Sequence, residues 1–292
     1  MKAAPFQYHA PETLDETIDL LGRFEDDAKV IAGGQSLVPV LALRLSRFDH
    51  LVDLQRVPGL RGVSRSNGSV RVAAMTTHTA VGRDAEAKAV PLLERATPYI
   101  GHAQIRNRGT VGGSLAHADP AAEWPAVALA LDAELEVVGP DGTRRVPAAE
   151  FFLGTWTTSL ELSEVVVAAY FPVWTGTCGF AVEEAARRHG DFAMAGVVCG
   201  IEVAGDRVER AALAFLGVGG TPVRAGAAEA ALTGAAVADL DLAALAALAV
   251  EGIEPPDDLH ASAVQRIRMS TALAQRAMTA AINEATQEVR SA

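Results

Sequence analysis

Two diglycine turns, Ala32-Gly33-Gly34-Gln35-Ser36 and Thr110-Val111-Gly112-Gly113-Ser114, constrain this chain more than any other feature. Glycine lacks a Cβ, so the backbone can take positive φ and bring its N–H groups close to an anion. Lys29-Val30-Ile31, just before the first turn, reads as a short buried strand. Ser36 can cap a helix from Leu37 to about Arg44, with Pro39 tolerated in its first turn. Such a helix start leaves N–H groups facing a phosphate. The second turn ends a helical stretch from Ala89 to about Asn107, which Pro98 is expected to kink. Two turns that each end in a hydroxyl can hold one diphosphate between them, which points to a dinucleotide. No Gly-x-Gly-x-x-Gly run opens a helix after the first strand, so the pattern is not that of a Rossmann unit.

The chain has 292 residues, half of them apolar, enough for a large core and for two domains or lobes. A net charge of −11 argues against general affinity for nucleic acid or anionic membrane, and Arg187-Arg188 is too short a basic run to reverse that. The only cysteines, Cys178 and Cys199, lie in separate segments and suit core packing; they supply neither a zinc motif nor an iron–sulfur cluster. No stretch has signal-peptide character and none approaches the roughly 18 to 20 apolar residues of a membrane span, so a cytoplasmic location is expected. No catalytic side-chain constellation and no metal site stand out.

The remaining pattern is α+β. Thr13-Leu14-Asp15-Glu16 forms a capping box for a helix burying Leu14, Ile18 and Leu21. Leu51 to Leu54 reads as a strand, and Asn67-Gly68 turns a hairpin between Arg61–Arg65 and Val70–Met75. Ala121 to Ala133 is a helix facing a core through Trp124, Val127, Ala128 and Leu131, followed by a hairpin turned at Pro140-Asp141-Gly142. After the β-branched run Val165–Phe171, the segment Val173 to Gly179 is rich in Gly and Thr and places a domain break near residue 174. Beyond it, Gly196–Ala204 and Val208–Val218 flank a turn at Gly205-Asp206. Alanine-rich helices follow at about 224–233, 239–251 and 261–289.

The segments Ala32–Pro39 and Ile105–Pro120, with Ala74-Met75-Thr76-Thr77-His78, Phe151-Phe152-Leu153-Gly154 and Ala186–Ala193, resemble the FAD-binding medium subunit of molybdenum hydroxylases. This resemblance covers nearly the whole chain. It implies a two-lobed FAD-binding domain of the vanillyl-alcohol-oxidase (PCMH) type over residues 1–174, with lobes of about 1–57 and 58–174. A smaller α+β carbon-monoxide-dehydrogenase flavoprotein C-terminal domain would occupy 175–292. It further implies that Ala32, Gly33, Gly34, Gln35, Ser36 and Leu37, together with Thr110, Val111, Gly112, Gly113 and Ser114, wrap the diphosphate of a non-covalently bound FAD. Asp119 and Glu123 would turn toward the ribose or adenosine end. Ile105 would lie near the flavin ring and Val166 at an apolar adenine position, though core packing also accounts for either. Phe192 would shield one face of the isoalloxazine. The chain departs from the family at Glu183, where some relatives carry lysine, and at Ser114, often Asp or Asn elsewhere.

By the same resemblance, a large molybdenum-cofactor subunit would oxidise substrate, and a small subunit with two [2Fe-2S] clusters would relay electrons to this FAD, which would pass them to an external acceptor. The assembly would be a dimer of heterotrimers, a heterohexamer. The alternative is a stand-alone flavin oxidase of the same superfamily. Substrates ranging from carbon monoxide to a purine, an N-heteroaromatic such as nicotine, or an aldehyde all remain open.

Overall fold

A computed structural model describes residues 2–291, with side chains described through Gln287. Its first sheet is parallel: β1 (Gln7–His9), β2 (Ala28–Ile31) and β3 (His50–Asp53) lie in the order β1-β3-β2, connected by α1 (Leu14–Phe24) and α2 (Leu37–Ala42). Half of the capping box forms: Thr13 Oγ1 accepts from Glu16 N at 3.1 Å, whereas the Glu16 carboxylate accepts from Glu12 N at 2.9 Å and not from Thr13 N. Of the apolar stripe on α1, Leu21 is buried, whereas Leu14 and Ile18 are half-buried. β1 was not evident from the sequence.

The second sheet is antiparallel and begins with β4 (Val63–Ser66) and β5 (Ser69–Ala73), whose turn residues Asn67 and Gly68 have φ of 51° and 75°, as an Asn-Gly hairpin requires. Five helices follow, α3 (His78–Val81), α4 (Pro91–Ala96), α5 (Ala103–Arg106), α6 (Val111–His117) and α7 (Glu123–Ala130), then β6 (Glu134–Gly139) and β7 (Gly142–Pro147). A short α8 (Ala148–Phe151) and the small hairpin of β8 (Phe152–Gly154) and β9 (Thr157–Thr158) precede β10 (Val165–Pro172), which returns to the centre of the sheet, giving the order β4-β5-β10-β6-β7. β10 joins two cores. Val165 and Val167 pack with Met75, Val52 and Leu54 under the first sheet, whereas Val166, Ala169 and Phe171 enter the central core with Trp124 and Phe151. The alternation is carried past a register shift between Val166 and Ala168.

The third sheet, also antiparallel, orders β11 (Thr177–Ala185), β12 (Ala195–Ala204), β13 (Arg207–Leu216) and β14 (Val223–Arg224) as numbered. Phe180, Val182, Val198, Ala212 and Ala214 face the central core, while Cys199, Ile201, Leu213 and Phe215 face a separate core closed by α9 (Gly226–Leu232), α10 (Leu242–Ala249) and α11 (Ala263–Ser291). Burial on both faces explains why β12 reads as a continuous apolar run. No helix among the described residues is long and apolar enough to cross a membrane.

Two local expectations fail. The stretch 89–107 is not one kinked helix: α4 and α5 are separate, and Gly101 at φ 49° turns the chain between them. α2 ends at Ala42, and Ser36 sits at its start without a side-chain hydrogen bond to it. Separately, Thr177–Gly179, the end of the segment on which the domain break near residue 174 was placed, is already strand β11. A Cβ on Gly179 would lie 1.8 Å from Ala281 O of α11, so this glycine permits close strand–helix packing rather than a loop.

Candidate functional site

The first diglycine turn lies between the end of β2 and the start of α2. Gly34 adopts φ 72°, a conformation that favours glycine. Val38 N donates to Gly34 O at 3.0 Å and Val40 N to Ser36 O at 3.3 Å, so helical bonding begins only at Val38. Among the described residues, the backbone N–H groups of Gly33, Gly34, Gln35, Ser36 and Leu37 donate to no protein acceptor. Five adjacent unspent donors at a helix start make an anion nest. The cleft above them is lined further by Ile31, Val38, Asp53, Gln55 and Arg108.

The second turn is built differently. Gly112 and Gly113 lie inside the first turn of α6, capped by Thr110, whose Oγ1 accepts from Gly113 N at 3.1 Å. Val111 N is taken by Thr76 O, Gly112 N by Ala74 O and Ser114 N by Thr110 O, at 2.9 to 3.0 Å. The expectation that Thr110–Ser114 wraps a diphosphate with its own N–H groups is therefore corrected: the four donors from Val111 to Ser114 are spent on the protein. Of the expected groups, the Thr110 N–H, the Ser114 hydroxyl and the position of the helix remain. The glycines serve close approach, since a Cβ on Gly112 would fall 2.4 Å from Ala74 Cβ and one on Gly113 would fall 3.3 Å from Ala32 Cβ.

The fold nevertheless brings the two turns together. A Cβ on Gly33 would lie 2.2 Å from Arg108 O and 2.7 Å from Gly109 Cα, so the first turn abuts the segment leading into the second. That segment is backed by His78, which is 4% exposed and whose Nδ1 accepts from Trp124 Nε1 at 2.9 Å. The bond fixes the tautomer with hydrogen on Nε2, which faces the Cα of Gly109, and burial holds the ring near a pKa of about 4, so it stays neutral. Neither His78 nor the half-buried His117 was among the site residues expected from the sequence. His117 stacks on Trp156 at a centroid distance of 6.0 Å and feels the charges of Asp119 and, across the lobes, Lys29.

The expected acidic residues sit next to each other at the start of α7. Asp119 is half-buried: its Oδ1 accepts from Ala121 N at 2.9 Å and its Oδ2 lies 3.4 Å from Trp156 Nε1. Glu123 is 9% exposed, and burial, reinforced by the charges of Glu184 and Asp119, raises its pKa to about 8. Glu183, the departure noted above, turns toward α11 and pairs with Arg276 at 2.7 Å, so its neighbour Glu184 occupies the inner side of β11. Strand parity separates two glutamates that look alike in sequence.

Ile105 is half-buried on α5, against Gly101. Phe192 is 69% exposed on the loop joining β11 to β12, and Gly190 of that loop touches His102 and Gly101, which places the loop beside the Ile105 segment. Val166 is 4% exposed within the central core. Arg108 lines the cleft and His78 backs it at Gly109, although neither was among the expected site residues. The open donors and the lining Arg108 suit a dinucleotide diphosphate, and the close approach at Gly33 leaves no room for a Cβ.

Residues 4–174 match the family described as the FAD binding domain in molybdopterin dehydrogenase, and residues 180–281 match the CO dehydrogenase flavoprotein C-terminal domain. The 6-hydroxypseudooxynicotine dehydrogenase complex subunit alpha of Paenarthrobacter nicotinovorans is 38% identical over 98% of this chain and 97% of its own. The carbon monoxide dehydrogenase medium chain of Hydrogenophaga pseudoflava is 37% identical over 94% of this chain and 96% of its own. A solved structure of carbon monoxide dehydrogenase from Hydrogenophaga pseudoflava superposes with a TM-score of 0.95 at 39% identity, covering 97% of this chain and 99% of the matched one.

Proposed function

Because the chain belongs to the family of FAD-binding medium subunits of molybdenum hydroxylases and is an oxidoreductase subunit, we propose that it holds FAD non-covalently between Ala32–Leu37 and Thr110–Ser114 and serves as the electron exit of a multi-subunit enzyme. In this reading a large partner carries the molybdenum cofactor and oxidises substrate, a small partner carries [2Fe-2S] clusters, and an external acceptor takes the electrons. Residues 1–174 form the FAD-binding unit and 175–292 the C-terminal domain. The five unspent N–H groups from Gly33 to Leu37 are the observation that carries the cofactor assignment.

Bound FAD would supply a redox centre able to take electrons singly or in pairs. The chain's own residues do the positioning. The first turn donates to the diphosphate, Arg108 offsets its charge, and Ser114 adds a hydroxyl donor. Asp119 is placed to accept from sugar hydroxyls. The loop carrying Phe192 covers the ring end beside Ile105 and limits its contact with water. This chain contributes no thiolate set for an iron–sulfur cluster, in keeping with electrons arriving from a partner.

The test is the visible spectrum of the purified full-length chain after incubation with FAD and desalting. A retained band at about 450 nm that bleaches with dithionite is expected, and Gly33→Val should abolish it. If the chain retains no flavin, the complex isolated with its native partners is measured next, and a flavin-free complex overturns the assignment.

A further inference from the structure

Trp156, at the tip between β8 and β9, is 59% exposed and holds φ 56°, a conformation that a bulky side chain rarely adopts. Its position is fixed from several sides. Its backbone N donates to Ala118 O at 3.1 Å, its indole stacks on His117 at a centroid distance of 6.0 Å and a ring angle of 21°, and its Nε1 lies 3.4 Å from Asp119 Oδ2. Beside it, Thr155 Oγ1 donates to Gly220 O at 3.4 Å, which ties the same tip to the loop between β13 and β14. Strain at one residue persists only where its surroundings over-determine it, and here they hold a large aromatic surface in the open. The other two tryptophans are spent on packing: Trp124 is buried in the central core, and Trp174 lies against Phe180 and under the Arg210 guanidinium.

Helix α6 connects that surface to the cleft. Arg108 and Gly109 meet Gly33, and Gly113 meets Ala32, where a Cβ on Gly113 would fall 3.3 Å from Ala32 Cβ. His117 lies four residues beyond Gly113, on the same side of the helix and about 6 Å further along its axis. The His117–Trp156 stack therefore continues the wall of the cleft one helical turn past the glycine contact, in the direction away from Ile105 and the Phe192 loop. One helical turn is the span of one ribose. A planar base that leaves the nest by this route meets a ring face, and aromatic side chains hold bases by stacking.

Resting on the FAD reading above, we infer that Trp156, backed by His117, is the stacking platform for the adenine of the bound dinucleotide. The nest holds the diphosphate, the ribose spans the turn of α6 between Gly113 and His117, and the base lies on the indole. Asp119 takes the edge of the indole and His117 one part of its face, so the ring plane is set before the ligand arrives and little side-chain freedom is lost on binding. The positive φ at Trp156 is what aims the side chain back over α6 instead of along the hairpin.

Trp156→Gly tests this without straining the backbone, since glycine takes a positive φ freely; the apo chain is expected to melt within about 3 °C of wild type. FAD affinity, read by quenching of flavin fluorescence on the full-length apo chain, or on the complex stripped of flavin if the chain alone retains none, is expected to fall about 5- to 100-fold. ADP carries the adenine and the diphosphate without the flavin, so its affinity, read by displacement of FAD, is expected to fall by the same factor. Trp156→Phe keeps an aromatic face and is expected to recover most of both losses. A Trp156→Gly protein with the wild-type affinity for FAD, a loss confined to FAD with ADP unaffected, or a Trp156→Phe protein as weak as Trp156→Gly overturns the inference alone. Failure of the wild type to bind FAD, in the chain and in the complex, overturns the FAD assignment and the inference with it.

Discussion

Gly33→Ala is the smallest change that tests how the cleft is assembled. The new Cβ would meet Arg108 O at 2.2 Å, Gly109 Cα at 2.7 Å and Arg108 C at 2.8 Å, all backbone atoms that cannot rotate away. Nor is that backbone free to retreat: Gly109 N donates to Ile105 O at 2.7 Å and Gly109 O accepts from His78 N at 3.0 Å. The first turn must therefore draw back by about 1 Å to restore van der Waals separation. Charge-assisted hydrogen bonds contribute roughly 1.5–3 kcal/mol each, so losing two of the five nest donors weakens FAD binding by about 10²- to 10⁴-fold. The turn lies at the edge of the protein, so the accompanying loss of fold stability should stay within about 1–3 kcal/mol. Quenching of flavin fluorescence gives Kd, and thermal unfolding of the apo chain gives the stability. Gly22→Ala is the control, because its Cβ would meet nothing within 4 Å on α1. A Gly33→Ala chain that binds FAD with the wild-type Kd would refute the idea that contact between the first turn and Arg108-Gly109 sets the nest.

Two pH-dependent outcomes follow from the buried titratable groups. His78 is held at about 4 in the folded chain, below its unfolded value of about 6.5, so its share of stability is intact above pH 6.5 and drains away as pH falls toward 4. His78→Gln keeps an acceptor for Trp124 Nε1 but does not titrate, so urea denaturation should show it losing less stability than wild type between pH 6.5 and 4. Glu123 runs the other way: its folded value of about 8 exceeds an unfolded value of about 4.5, so its carboxyl costs nothing below pH 4.5 and progressively more as pH rises to 8. Glu123→Gln should accordingly be more stable than wild type by about 2–4 kcal/mol at pH 8 in the apo chain, the gap closing toward pH 4.5. An equal gap at both pH values would mean that the carboxyl ionises freely in the folded state.

What the sequence made legible was local. Asn67-Gly68 and the Thr13 N-cap specify their own backbone through residues in immediate contact, and both appear as expected. The first diglycine turn was equally readable, because strand, glycine pair and helix start follow one another without a gap. The second pair has the same two letters and a different job. Gly112 packs against Ala74, a residue brought there by β5, and nothing near position 112 in the sequence announces that neighbour. The packing role of Gly179 was hidden for the same reason, since its partner on α11 lies about a hundred residues away. The stretch 89–107 carries helical periodicity throughout, yet Gly101 and packing against β11 divide it. Glu184 stayed hidden because adjacent glutamates differ only in which side of β11 they occupy.

The two glycine pairs divide one task between them. Those of the first turn leave donors open, while those of α6 let that turn and the helix come within contact distance, with Gly113 against Ala32 and Gly33 against Arg108. The donors sit on the first lobe and the wall on the second, and what holds the lobes in register is β10, whose Val165 and Val167 face one core and Val166 and Phe171 the other. FAD affinity is then a property of the fit between lobes as much as of any side chain. A ligand that binds only the assembled cleft stabilises the folded state in proportion to the logarithm of its concentration over Kd. Truncating Val167 in β10, whose side chain faces the core under the first sheet, should therefore lower FAD affinity as well as apo stability, and saturating FAD should recover part of the lost stability.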